Sequence, residues 1–134
     1  MDIEVREYTG EGYKPVIDYE TWRVAILNYI DELEVPNIEK MQKHLLSDEV
    51  FVLLKGNFTL FTAGNGDEIG KIQATKLEPY KMYNVKAGVW HTHTLDEETS
   101  VLIVENQNTC DDNSPELFLT QAQRAELAEC FQNQ

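Results

Sequence analysis

Two short stretches of this chain concentrate the side chains able to hold a metal ion or move a proton. The first runs Gln42-Lys-His44-Leu-Leu-Ser-Asp-Glu49-Val-Phe51 and continues as apolar residues to Gly56. The second, Tyr83 to Leu95, contains Gly88-Val-Trp-His91-Thr-His93. Imidazole is the commonest metal-binding side chain and a general base near neutral pH, and a carboxylate is its usual companion at a divalent ion. An ionisable pair such as His44 and Glu49 on an otherwise apolar strand is costly to bury unless it has partners. These two stretches are therefore the places to look for chemistry.

Both need a scaffold that turns the side chains the same way. His44 and Glu49 flank what reads as a tight turn between two strands. A hairpin pairing 44 with 49 also pairs 42 with 51, and side chains alternate faces along a strand. Gln42, His44, Glu49 and Phe51 would then share one surface. In the second stretch Gly88 marks a turn, after which Val89, His91, His93 and Leu95 fall on one face and Trp90 on the other. Taken alone, a single inward histidine is more often a hydrogen-bonded core or pocket residue than a ligand.

The remaining segments are strand-like. Ile3 to Tyr8 reads as a short strand, followed by a turn with Gly10 and Gly12 and then Pro15. Thr21 to Ile30 is bulky, aromatic and β-branched, with no helix cap before it, and predicts a strand buried on both faces. A helix is the alternative there, because Trp22, Ile26 and Tyr29 also fall on one helical face. Asp31 to Asn37 is a loop. Further strands are expected at Ile38 to His44, Glu49 to Leu54, Phe58 to Thr62, Ile69 to Leu77, Met82 to Lys86, Val89 to Leu95 and Ser100 to Asn106. Gly, Pro, Asn and Asp separate them, as in a sandwich or barrel. Thr120-Gln-Ala-Gln123 has the form of a capping box, starting a terminal helix with Leu127, Ala128 and Phe131 on its apolar side. The expectation is a mainly β fold with one C-terminal helix. Residues 1–134 form a single domain, with a core over about 21–106 and a tail with the helix over 107–134.

Composition narrows the partners. The 134 residues include 24 acidic and 11 basic side chains, a net charge of −13, which repels phosphate backbones and anionic lipid. Nucleic-acid and membrane binding are not expected. No apolar run reaches the ~18 residues of a membrane span. The acidic start, Met1-Asp-Ile-Glu-Val, is unlike a signal peptide. Cys110 and Cys130 lack metal-motif spacing and read as free thiols of a cytoplasmic protein. Val50, Val52 and Leu54 lie opposite Glu49 on their strand, so that face needs a cover too. The N-terminal strand or a second subunit would supply it, hence a homodimer.

Together the two stretches resemble the motifs of the cupin superfamily. Its first motif ends in a histidine, a spacer of three or four residues, a glutamate, six residues and a glycine. His44, four residues, Glu49, six residues and Gly56 match that end. Its second motif runs proline, any residue, glycine, two residues, histidine. Lys86-Ala-Gly88-Val-Trp-His91 keeps the glycine and histidine but has Lys86 for the proline. The resemblance covers about Thr21 to Asn106 and implies a double-stranded β-helix, a jelly-roll barrel. Gly88-Val-Trp-His91 is also similar to a four-residue motif of the ureidoglycolate lyase group within cupins, whose members act on a small ureido acid. Lys86 and Lys55 are the nearby cations that an anionic substrate would need.

The resemblance implies a metal set of Gln42, His44, Glu49 and His91, in which Gln42 stands where the family usually has its first histidine. Two histidines and a carboxylate with open positions suit a catalytic divalent ion such as iron, and relatives use manganese, nickel or zinc. His93 is the candidate replacement ligand or proton shuttle, and Tyr83 a second candidate for proton transfer. The implied function is to act on or bind a small polar metabolite, such as a sugar, a hydroxy acid or a ureido acid. The alternative is a metal-free binding or regulatory dimer, its pocket walled by Phe51, Trp22 and tyrosines, with Gln42, His44 and Glu49 orienting the ligand.

Overall fold

Alternating apolar and polar residues fold into strands when one face can be buried, and here they build two facing sheets. In a computed structural model describing residues 2–134, the strands are β1 (Tyr13–Tyr19), β2 (Trp22–Asn28), β3 (Lys40–Gln42), β4 (Glu49–Lys55) and β5 (Phe58–Thr62). They continue with β6 (Gln73–Lys76), β7 (Met82–Val85), β8 (His91–Leu95), β9 (Ser100–Asn106) and β10 (Glu116–Phe118), before a helix α1 (Gln121–Gln132). One five-stranded sheet has the order β1-β2-β9-β4-β7 and the other β10-β3-β8-β5-β6. Every pairing is antiparallel.

The main core lies between the sheets. Ala25 and Leu27 of β2, Phe51 and Leu53 of β4, Phe58 and Leu60 of β5, and Val101 and Ile103 of β9 all meet there. A second core covers the outside of the β10-β3-β8-β5-β6 sheet, where Met41, Phe61, Ile72 and Trp90 pack under Leu127 of α1. The helix begins as its sequence predicts. Thr120 Oγ1 accepts the Gln123 N–H at 3.1 Å, and Gln123 Oε1 accepts the Thr120 N–H at 2.9 Å. Phe131 follows on the same side, its ring 6.4 Å from that of Phe61. Among the described residues nothing comparable covers the other sheet, whose outer residues Val24, Ile26, Val50, Val52, Leu102 and Val104 are only half-buried.

Several expectations are corrected. Residues 3–8 form no strand, and the first strand runs Tyr13–Tyr19, through Pro15. Pro15 is tolerated because β1 is an edge strand with a register break beside it. Within the segment 21–30 the strand is Trp22–Asn28, which excludes the helix alternative, but it is well buried on its Ala25 and Leu27 face only. Trp22 points outward and is exposed, so it is no pocket wall. The hairpin joining positions 42–44 to 49–51 does not form. β3 and β4 lie in different sheets; Gln42 stands opposite His91 and Glu116, and Phe51 opposite Ile103 and Tyr83.

What looks like a tight turn is a crossover between layers. Leu45 N–H bonds to Asn113 O and Gly88 N–H to His44 O, while Ser47 Oγ accepts the Asn106 N–H. The strand β10 was not expected at all. It pairs with β3 from Glu116 opposite Gln42 to Phe118 opposite Lys40.

Candidate metal centre

The crossover still brings His44 and Glu49 together, across the barrel rather than along a hairpin. His44 leaves β3, Glu49 starts β4 in the opposite sheet and His91 starts β8. Both imidazole Nε2 atoms converge on one oxygen, Glu49 Oε1, at 3.2 Å from His44 and 3.0 Å from His91. All three side chains are buried, and the two rings meet edge to face with centroids 5.0 Å apart.

The far nitrogens decide what the near ones can do. His91 Nδ1 is 2.9 Å from Val89 O, which only accepts, so Nδ1 carries a proton. His44 Nδ1 is 2.7 Å from Ser114 Oγ, and that hydroxyl donates to Asn113 Oδ1 at 3.2 Å, so it accepts from His44. Each neutral imidazole thus turns a bare Nε2 lone pair toward Glu49. That is the tautomer a metal ligand needs, fixed by the outer hydrogen bonds that metal-binding histidines usually have. Ligand atoms about 2.1 Å from a shared ion stand roughly 3.0–3.4 Å apart, which matches both measured separations.

Without an ion, protons hold the cluster together. Burial disfavours the charged form of His91, but the hydrogen bond and charge of Glu49 outweigh it and raise its pKa. Burial pushes the Glu49 carboxyl up, whereas hydrogen bonds from His44 and His91 hold it well below the usual range. A group of two histidines and a carboxylate that must recruit a proton to be satisfied is one that a divalent ion satisfies as well. His44, Glu49 and His91 can hold such an ion.

The cavity beside the cluster has a volume of about 310 Å³ and is lined by Gln42, His93, Glu105 and Thr109 as well as the three cluster residues. Gln42 is held there by its own Nε2, which donates to Ser114 O at 3.2 Å, so Ser114 positions both Gln42 and His44. His93 stacks on Phe58 with ring centroids 5.2 Å apart and lies 5.9 Å from the Phe51 ring. Burial lowers its pKa to about 4, and its Nδ1 has no hydrogen-bond partner.

The structure does not bring Tyr83 into this cavity; its hydroxyl accepts the Glu78 N–H at 3.0 Å. Lys86 is exposed and paired with Asp48 at 2.8 Å, and Lys55 is exposed; neither lines the cavity. On the other side of Gln42, His91 and His93 lies a cleft of about 610 Å³, bounded also by Asp31, Asn37 and Arg124. Gln42 and His91 are the single register pair between β3 and β8.

Six polar lining residues were not singled out from sequence: Tyr13, Arg23, Glu105, Thr109, Asp111 and Ser114. For Glu105 the signal exists, because a period of two along Ser100–Asn106 puts it inward with Val101 and Ile103. Ser114 sits in an irregular tail beyond both motifs, where no periodicity could assign it a direction.

No protein-family model matches this sequence, and no curated protein matches it either. Solved structures do share its architecture. A cupin-2 domain containing protein from Shewanella frigidimarina aligns with a TM-score of 0.53 at 17% identity, over 75% of this chain and 85% of that one. KdgF from Halomonas sp. aligns at 0.51 and 13% identity, over 75% and 82%. Pac13 of Streptomyces, described as a nucleoside dehydratase, aligns at 0.58 and 8% identity, over 86% and 87%. With two facing antiparallel sheets, a C-terminal helix and these neighbours, the fold of this chain is that of the cupin superfamily.

Proposed function

We propose that the protein holds a divalent metal through His44, Glu49 and His91, with Gln42 as a further oxygen donor, and acts on or binds a small polar metabolite beside it. The observation that carries this reading is the convergence of two Nε2 atoms on Glu49 Oε1, at 3.2 and 3.0 Å, with each Nδ1 in a hydrogen bond of its own. The two-nitrogen, one-carboxylate set suits iron, manganese, nickel or zinc. A bound ion would polarise a ligand oxygen or lower the pKa of a water.

The chain's own residues do the rest. Phe51 and Phe58 pack around His93, keeping water from that wall. His93, which lines the cavity, is our candidate to take or give a proton; the Tyr83 hydroxyl is engaged elsewhere. Pac13, with the same fold, is described as a nucleoside dehydratase, which supports enzymatic use of such a barrel. Metal analysis of protein purified without chelator tests the reading. About one ion per chain is expected, lost in the His44→Ala/His91→Ala double variant; no ion, and no uptake on addition, would overturn it.

The uncovered outer face of the β1-β2-β9-β4-β7 sheet supports a second element, a homodimer. Six aliphatic side chains from three adjacent strands stand half-buried there, whereas the opposite sheet has α1. An apolar face of this extent is a usual mark of association. Among the described residues no helix is long and apolar enough to cross a membrane.

A further inference from the structure

The lining of the 310 Å³ cavity carries information about the ligand's charge. Its only arginine or lysine is Arg23, and that guanidinium is already engaged. Arg23 Nε donates to Tyr13 OH at 3.1 Å, Nη1 to Gln107 O at 3.2 Å, and Nη2 both to Glu105 Oε1 at 3.0 Å and to Thr109 O at 3.1 Å. Four of the five N–H groups of the fork are taken. Arg23 is a strut that ties β2 to β9 and the following turn, not a receptor waiting for an anion. Facing it in the lining are three carboxylates, Glu49, Glu105 and Asp111.

The same wall has unmet hydrogen-bonding capacity. Glu105 Oε1 accepts from both Tyr13, at 2.8 Å, and Arg23, but Glu105 Oε2 has no partner. Thr109 Oγ1 has none either, nor has His93 Nδ1. These are the three buried side-chain polar atoms without a partner among the described residues, and all three residues line this one cavity. Buried polar groups are nearly always paired, so a cluster of exceptions calls for an explanation. A shared Arg23 nitrogen places Glu105 and Thr109 side by side.

We propose that the cavity takes a neutral polyhydroxylated molecule, a sugar or nucleoside, whose hydroxyls are received by Glu105 and Thr109, and that it discriminates against carboxylates and phosphates. The inference rests on the reading of this cavity as the ligand site. One arginine against three carboxylates leaves an anion with no free counter-charge. A divalent ion at His44, Glu49 and His91 brings the lining to formal neutrality, so a charged ligand of either sign gains nothing from it. A ligand carboxylate reaching that ion would also stand beside Glu49, and like charges at such range repel. The volume admits one small molecule, being at the lower end of ligand pockets, about 300–1,000 Å³.

The test uses the full chain, both chelator-treated and zinc-loaded, with matched probes: D-glucose against D-glucuronate, D-ribose against D-ribonate, and uridine against uridine 5′-monophosphate. Titration by NMR is expected to show at least one neutral member binding roughly tenfold or more tighter than its acidic twin. Thr109→Val should weaken that neutral probe roughly tenfold and leave the melting temperature unchanged or higher, because a buried hydroxyl without a partner is removed. Glu105→Gln should narrow the gap between neutral and acidic probes; if Glu105→Gln does not fold, Thr109→Val still decides.

An acidic member binding as tightly as its twin, no neutral member binding up to about 10 mM, or full affinity in Thr109→Val would each overturn the proposal. Zinc content measured on the same samples separates this from the metal reading. If no zinc is taken up, that reading fails, while the probe preference of the metal-free chain still tests this one.

Discussion

Ser114→Ala isolates the hydrogen bond that sets the direction of His44. The hydroxyl accepts from His44 Nδ1 at 2.7 Å and is almost fully buried. In the metal-free variant, His44 can move its proton to Nε2 and give it to Glu49 Oε1, 3.2 Å away, so little is lost. In the metal-bound variant Nε2 must stay bare and Nδ1–H is left in a buried site without an acceptor. An unsatisfied buried donor costs about 1–3 kcal/mol, consistent with the ~10–100-fold loss of affinity usual when such an outer partner of a ligating histidine is removed. The cost should therefore fall on the bound state alone.

Zinc affinity is measured by competition with a fluorescent chelator, and melting temperature by calorimetry with and without zinc. The expected result is a Kd raised about 10–100-fold, with the metal-free melting point shifted by less than about 3 °C, under 1 kcal/mol for a domain of this size. An unchanged Kd would refute the tautomer argument. So would a metal-free melting point that falls as far as the zinc-loaded one, because the hydroxyl would then be supporting the fold and not the orientation of the ring.

Three further outcomes are expected. Thr120→Ala removes the side-chain acceptor of the α1 cap and should cost about 1 kcal/mol, read as a melting-point drop of roughly 3–5 °C; no change would mean that α1 is held by Leu127 packing alone. Gly56→Ala should destabilise by more than Gly64→Ala. Both glycines have positive φ, +90° and +75°, but a Cβ at Gly56 would lie 2.6 Å from Thr99 Cα whereas at Gly64 it meets nothing within 4 Å. Denaturant melts should give about 1 kcal/mol for Gly64→Ala, the left-handed backbone cost alone, and clearly more for Gly56→Ala. Leu102→Asp, on the outer face between Ile26 and Val52, should convert a dimer to a monomer by light scattering; an unchanged mass in both proteins would dismiss that interface.

The sequence was legible where a period of two was sustained. Ser100–Asn106 is a strand over those same residues, and His91, His93 and Leu95 face inward as their alternation requires. The cap at Thr120 was legible because it depends on two side chains three residues apart. Pairing partners were not. His44 and Glu49 are close in the chain, and closeness in sequence favours a hairpin, but hydrogen bonds made with Asn113, Ser114 and Asn106 carry the connection across the barrel. Those partners lie some sixty to seventy residues away, at the end of β9 and in the irregular tail beyond it. For the same reason Gln42, His44, Glu49 and His91 could be gathered into one candidate set, while Ser114, which orients two of them, could not.

The narrowness of the seam between β3 and β8 has a kinetic consequence. One rung, Gln42 opposite His91, joins them, and past it the strands part around the 610 Å³ cleft. A ladder of one rung has no neighbours to lend it cooperativity, so the barrel should breathe here first, on the timescale of local opening rather than of global unfolding. An ion bound to His44, Glu49 and His91 would rivet the end of β3 to strands of both sheets at that spot. It would act less on how fast the chain folds than on how slowly the wall comes apart. Hydrogen exchange at the amides of residues 40–44 and 116–118 should slow when zinc is added, ahead of any change in the core of β9; uniform slowing across the chain would show that the seam opens only with the whole.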